Sequence, residues 1–225
     1  MKKGIKRVNY VFLAVLIMWT IGYDVFRLFP MKCLASLTFV VLGFINCTYV
    51  WKNNKENFKI AALLLAGLVF GMGGDVAIYF NFIMGAASFA VGHIFYCFTY
   101  GVIEKIRKSD LLCTAVLLVA ILSFLFLTPI FDFGDVIMKV VVIAYCVIIC
   151  LMTAKSIMNA YRNHTKVNIL FACGSVMFFF SDIMLVLNVF ADTFYITSVL
   201  CHTLYFPAQW VLTHGMFYLA TENKR

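Results

Sequence analysis

Eight runs of mostly apolar residues, separated by short polar breaks, fill almost the whole chain, at roughly 9–29, 33–51, 59–80, 82–103, 111–128, 136–158, 167–190 and 194–218. A hydrocarbon core is crossed by about 20 helical residues at a rise of about 1.5 Å each, so each run predicts a membrane-spanning helix. The polar breaks are too short to build anything else. The expected fold is an all-α polytopic membrane protein of eight transmembrane helices, a single transmembrane domain over 1–225.

Basic residues alternate in step with these runs. Lys2, Lys3, Lys6 and Arg7 precede the first; Lys52, Lys55 and Lys59 fall between the second and third; Lys105, Arg107 and Lys108 between the fourth and fifth; Lys155, Arg162 and Lys166 around the break after the sixth; Lys224 and Arg225 after the eighth. Only Arg27, Lys32 and Lys139 stand at the opposite ends, where Asp132, Asp135 and Asp192 also lie. Cytoplasmic loops of membrane proteins collect Lys and Arg, so both termini are expected on the cytoplasmic side. The first run follows a basic stretch, as a secretory signal would, but no small-residue cleavage site follows it and it is read as a span.

Two aspartates break the apolar pattern. Asp75 sits in VFGMGGDVAIYF and Asp182 in VMFFFSDIMLVL, each 43 residues after a Met-Lys pair, Met31-Lys32 and Met138-Lys139, with the copies 107 residues apart. His93-Ile94-Phe95-Tyr96 and His202-Thr203-Leu204-Tyr205 repeat the form H-x-x-Y at an offset of 109. These marks point to an internal duplication, about 9–110 and 111–218. Four helices per copy would enter the membrane in the same sense, as in parallel-repeat transporters. The alternative is chance recurrence of a few residue types.

An ionisable side chain inside hydrocarbon is costly and is a functional-site hypothesis by default. Counted from the ends of their runs, both aspartates lie in the outer half of the bilayer, with Lys32 at the outer start of the second span and Phe70, Phe178, Phe179, Phe180 and Phe206 as the expected apolar wall. Two carboxyls in one low-dielectric site cannot both hold charge comfortably, so one is expected to keep its proton. That is an acid and base pair. The glycines at 71, 73 and 74 admit a close neighbour, and Ser181 can donate a hydrogen bond. The structural alternative is that each aspartate only bonds across helices.

Composition changes the picture little: 64% hydrophobic and 12% charged residues exclude a soluble domain, and the net charge of +8 is explained by topology without a nucleic-acid partner. All eight cysteines fall in or at the ends of spans with no C-x-x-C, which argues against disulfides and structural zinc and for apolar packing. No H-x-x-x-H or similar spacing marks a metal site, and no cofactor is expected.

Gly74-Asp75, Gly92-His93-Ile94-Phe95-Tyr96, Tyr145 with Met152, Ser181-Asp182, and Tyr205 with Gln209, in that order across the spans, resemble the YhhN-like family of integral-membrane lysoplasmalogenases, from about Lys32 to Gly215. One departure is that Cys33 follows Lys32 where the family usually has proline. The resemblance implies an eight-helix bundle that hydrolyses the vinyl ether bond of lysoplasmalogens to a fatty aldehyde and a glycerophospho-alcohol. Asp75 and Asp182 are then the expected catalytic pair, with Lys32, His93, Tyr96, Tyr145, Ser181, Tyr205 and Gln209 as substrate-binding candidates. His93 also reads as an interhelical contact, the tyrosines as packing, and Lys32 either as a partner for the lipid phosphate, with Lys139 as its echo, or as a snorkelling lysine. Tyr10 and Trp51 read as interfacial anchors. The expected partners are a lysophospholipid and the bilayer, in a bacterial cytoplasmic membrane. Rival readings are a lipid or small-molecule transporter with proton-coupling aspartates, a metal-dependent hydrolase, and a purely structural membrane protein.

Overall fold

A computed structural model describes residues 2–191, 193 and 195–221. Met1, Asp192, Phe194 and 222–225 lie outside them, and so do three of the charges used for topology, Asp192, Lys224 and Arg225.

Among the described residues the chain forms eight α-helices, α1 Lys2–Phe26, α2 Phe29–Asn53, α3 Phe58–Phe80, α4 Phe82–Ile103, α5 Lys108–Leu127, α6 Val136–Arg162, α7 Lys166–Phe190 and α8 Tyr195–Leu219, with a 3-10 turn at Lys55–Asn57. Away from its ends, the backbone donors and acceptors of a helix pair within the segment, which is what hydrocarbon demands. The protein is a multi-pass membrane protein. Seven of the described helices are long and apolar enough to cross a bilayer; α8 is as long but less apolar. The reason lies in its polar side chains, of which Gln209, Thr213 and His214 are buried among neighbouring helices.

Several boundaries move outward from those the sequence predicts. α1 begins at Lys2, so Lys3, Lys6 and Arg7 ride exposed on its first turns. α2 begins at Phe29 with Pro30 in its first turn, where a missing N–H costs nothing. Lys32 is therefore inside α2, and the same face carries Ser36 one turn later. Arg27, at φ 54°, is the one described non-glycine residue with positive φ and makes the turn between α1 and α2. Side chains fix other starts: Asn81 Oδ1 accepts from Met84 N (3.0 Å) at α4, and Asp135 Oδ1 from Met138 N (2.8 Å) at α6.

The helices α2, α3, α4, α6, α7 and α8 pack each on the next and α8 returns to α2, so they close a ring of six, within which α3 also touches α8. α1 rests on α2 and α8, and α5 on α6. The two halves of the chain meet where α2 packs on α8 and where α4 packs on α6.

Buried polar pairs fix the outlying helices. Asn9 of α1 and Asn46 of α2 exchange side-chain amide bonds (3.0 and 2.9 Å), and Trp210 Nε1 donates to Asn9 O. Asp110 of α5, which is fully buried, receives Lys155 Nζ at 2.9 Å and Arg162 Nη1 at 2.6 Å, both from α6. Arg162 Nε also meets Glu104 Oε1 at 2.8 Å. Lys155, which alternation places among loop charges, is instead 1% exposed. Its long stem lets it lie in the packed interior, because a carboxylate waits there.

Candidate functional site

The first aspartate is held where α3 meets α2 and α8. Ser36 Oγ donates to Asp75 Oδ2 at 2.6 Å and Tyr205 Oη donates to the same oxygen at 2.7 Å. Lys32 Nζ stands 3.4 Å from Oδ1. All three are donors, the set from which a carboxylate anion accepts. Asp75 is 2% exposed, so its partners, rather than water, satisfy it. The glycine-rich turn before it follows from crowding: a Cβ on Gly71 would lie 2.9 Å from Gln209 Nε2, and one on Gly74 only 2.7 Å from the Phe89 ring.

The second aspartate is held where α7 meets α6 and α4. Tyr145 Oη donates to Asp182 Oδ2 at 2.7 Å and is also 2.9 Å from His93 Nε2, which lies 3.4 Å from the same carboxylate oxygen. His93 is buried against Phe178, ring centres 4.6 Å apart, and its Nδ1 has no hydrogen-bond partner among the described residues. This carboxyl faces an apolar cavity: Asp182 and Tyr145 line it together with Phe89, Phe179 and aliphatic side chains of α3, α5, α6 and α7. Asp75 is not among the lining residues.

The two nests communicate through aromatic rings. Phe178 touches His93 on one side and Tyr205 on the other (centres 4.6 and 5.1 Å), and Phe89, which lines the cavity, touches Tyr205 at 5.8 Å. Of the expected wall, Phe178 and Phe206 are buried and Phe179 lines the cavity, whereas Phe70 and Phe180 are 39% and 50% exposed and face outward. Helical geometry explains the error: consecutive residues point about 100° apart, so three phenylalanines in a row cannot share one face.

The remaining sequence candidates fall at distinct places. Tyr96 Oη donates to Gln209 Oε1 at 2.9 Å, and Gln209 Nε2, buried, has no hydrogen-bond partner among the described residues. Ser181 donates to the Cys201 carbonyl at 3.1 Å. Lys139 is exposed on α6 and does not repeat the placement of Lys32. The two H-x-x-Y segments divide their work differently. In α4 the histidine reaches Asp182 and the tyrosine reaches Gln209; in α8 the tyrosine reaches Asp75, and His202 Nδ1 instead meets Asp24 Oδ1 at 2.8 Å. Counted from the helix starts at Phe82 and Tyr195, His93 and Tyr205 lie at nearly the same depth, and each reaches one of the two aspartates.

Asp24 itself carries a signal that the sequence reading passes over, an acidic residue inside the first apolar run. All eight cysteines are free, with Cys47, Cys146, Cys150 and Cys201 buried and Cys173 exposed on the outside of α7. Among the described residues no three His, Cys, Asp or Glu side chains converge as a metal ion would require.

A sequence profile described as the YhhN family matches residues 11–216 of the chain. No curated protein and no solved structure matches.

Proposed function

The chain belongs to the YhhN family, and we propose that it is a membrane hydrolase that cleaves the vinyl ether bond of lysoplasmalogens, releasing a fatty aldehyde and a glycerophospho-alcohol. One arrangement carries this reading. A buried carboxyl, Asp182, with a phenol and an imidazole at one oxygen, faces a cavity whose other lining is hydrocarbon. Such a place suits a substrate that brings a long chain and needs one proton.

The chemistry is acid catalysis. Asp182, in its acid form, gives its proton to the outer alkene carbon; the π electrons form the new C–H bond and leave an oxocarbenium ion shared between the inner carbon and the ether oxygen. Water adds to that carbon and returns a proton to the Asp182 carboxylate, giving a hemiacetal. The hemiacetal hydroxyl then loses its proton as its oxygen forms the C=O of the aldehyde, while the C–O bond to glycerol breaks and the glycerol oxygen takes up a proton. Paired carboxylates handle a similar cation in glycoside hydrolysis.

Tyr145 and His93 supply a relay at Asp182, since the phenol bridges imidazole and carboxylate at 2.9 and 2.7 Å. Asp75 has a different place in the scheme. Held as an ion pair with Lys32, it fixes Tyr205, whose ring braces Phe89 and Phe178 behind the cavity. Lys32 is engaged by Asp75, which favours a positioning role over contact with lipid phosphate.

Aldehyde release from lysoplasmalogen by the purified protein in detergent tests the proposal, with a chelator in a parallel arm. Asp182→Asn is expected to lower kcat by about 10²–10⁴-fold, the range for loss of a general acid. Undiminished activity in that variant would sink the mechanism. The transporter reading draws support from the pairing of α2 with α8 and α4 with α6. It would require labelling of Asp75 and Asp182 surroundings to alternate between the two membrane faces.

A further inference from the structure

The cavity at Asp182 is hydrocarbon nearly everywhere, with Phe82 and Phe89 of α4, Ile121 and Leu125 of α5, and Val142 and Ile149 of α6 among its walls. Apart from the weakly polar thiol of Cys146, the hydrogen-bonding side chains that line it are Asp182 and Tyr145, which stand together, joined by their 2.7 Å bond. A polar ligand would find no partner in the rest of the space. The cavity lies among membrane-spanning helices, and Phe82, Val141 and Val186 on its border are only partly covered, so the fluid outside it is lipid chain.

The α5 wall is the informative one. This helix packs mainly on α6, and apart from Asp110 in its first turn its buried residues are Ile121 and Leu125. Both line the cavity. They belong with Phe133, Val142, Cys146 and Cys150 to a cluster distinct from the main core. A helix otherwise turned toward lipid thus commits its two buried apolar side chains to closing this space, while its inner end is tied down by the ion pairs of Asp110.

We propose that this cavity is the slot for the single aliphatic chain of the lipid substrate, and that Ile121 and Leu125 set the length of chain it takes. The inference takes its substrate from the hydrolase reading, but chain binding can be measured without turnover. Each methylene group buried in the slot favours binding, and a chain longer than the slot leaves its end unburied.

The test uses a saturated ether lysophospholipid, which has no vinyl bond to cleave, carrying a photoreactive diazirine in its chain. It is added to the full protein in detergent and the sites of labelling are mapped by mass spectrometry. Labelling is expected on the stretches that contain Ile121, Leu125, Val142 and Ile149, and excess unlabelled lipid should compete it away. In Ile121→Trp the affinity of a long-chain competitor should fall about tenfold, the loss of roughly two buried methylenes, with a short-chain competitor unaffected. Leu125→Ala should shift preference toward longer chains.

Label that excess lipid does not compete, at the level seen on outward residues such as Val11 and Ile21, overturns the slot. So does competed label that falls around Ser36 and Tyr205 instead. Unchanged chain preference in both variants overturns the role of Ile121 and Leu125. Competed labelling on α5 in a protein that releases no aldehyde would uphold the slot and remove the hydrolase reading, so the two failures are distinguishable.

Discussion

Tyr145 is the residue on which most of the site geometry turns, because one hydroxyl spans the distance between His93 and Asp182. Replacing it by phenylalanine removes a hydrogen bond to a group whose charge changes in the reaction, a contribution of about 1.5–3 kcal/mol, while the ring continues to fill its place. Aldehyde release by Tyr145→Phe is therefore expected to fall by about 10–100-fold with thermal unfolding little changed. Tyr96→Phe, which loses only the bond to Gln209, should keep most of its turnover. Both tyrosines look alike in the sequence. Their different partners come from which neighbouring helix each one meets, and that is why periodicity identified the polar positions but could not pair them. Lys32 shows the same limit: its place near a helix end suited a phosphate partner as well as Asp75, and only the packing of α2 against α3 brings its ammonium to the carboxylate.

Among the elements, α5 depends most on a few polar contacts. Its amino-terminal end is held by Asp110, with Lys155 and Arg162 on the two carboxylate oxygens, and removing that carboxylate strands the ammonium of Lys155, which is 1% exposed. Asp110→Leu is expected to destabilise the protein by about 3–5 kcal/mol, and hydrogen exchange should show the loss concentrated in α5 and the adjoining half of α6. A loss of protection spread evenly over all helices would contradict this assignment. In the sequence Asp110 only follows Lys105, Arg107 and Lys108, a pattern that ordinarily marks a solvated boundary. What reverses that reading is the long α6, which continues to Arg162 and carries Lys155 past the start of α5. Helix lengths came out within a few residues of the apolar runs, since hydropathy reports the hydrocarbon and helices extend beyond it without penalty.

For the whole molecule, the clearest expectation not addressed by atomic contacts is orientation. With eight helices and the basic residues gathered at one set of ends, reporters fused to the amino and carboxyl termini should both register the cytoplasm. Reporters on opposite sides would mean that α8, which has no continuous stretch as apolar as those of the other seven helices, does not cross. The ring of six helices places Asp75 at the α2, α3, α8 junction and Asp182 at the α4, α6, α7 junction, places that exchange of the two halves would interchange. Their surroundings nonetheless differ, an ion pair in one and a phenol with an imidazole beside an apolar cavity in the other. Sequence by itself determined the class of the protein, the number of its helices and the apolar core of each, and the two acids that hydrocarbon would not tolerate without partners, because each of these follows from transfer out of water along a single segment. Which donor reaches which acid, and which of the two faces a cavity, was decided by tertiary structure alone, because those contacts join residues from helices distant in the chain, brought together by packing that no local pattern records.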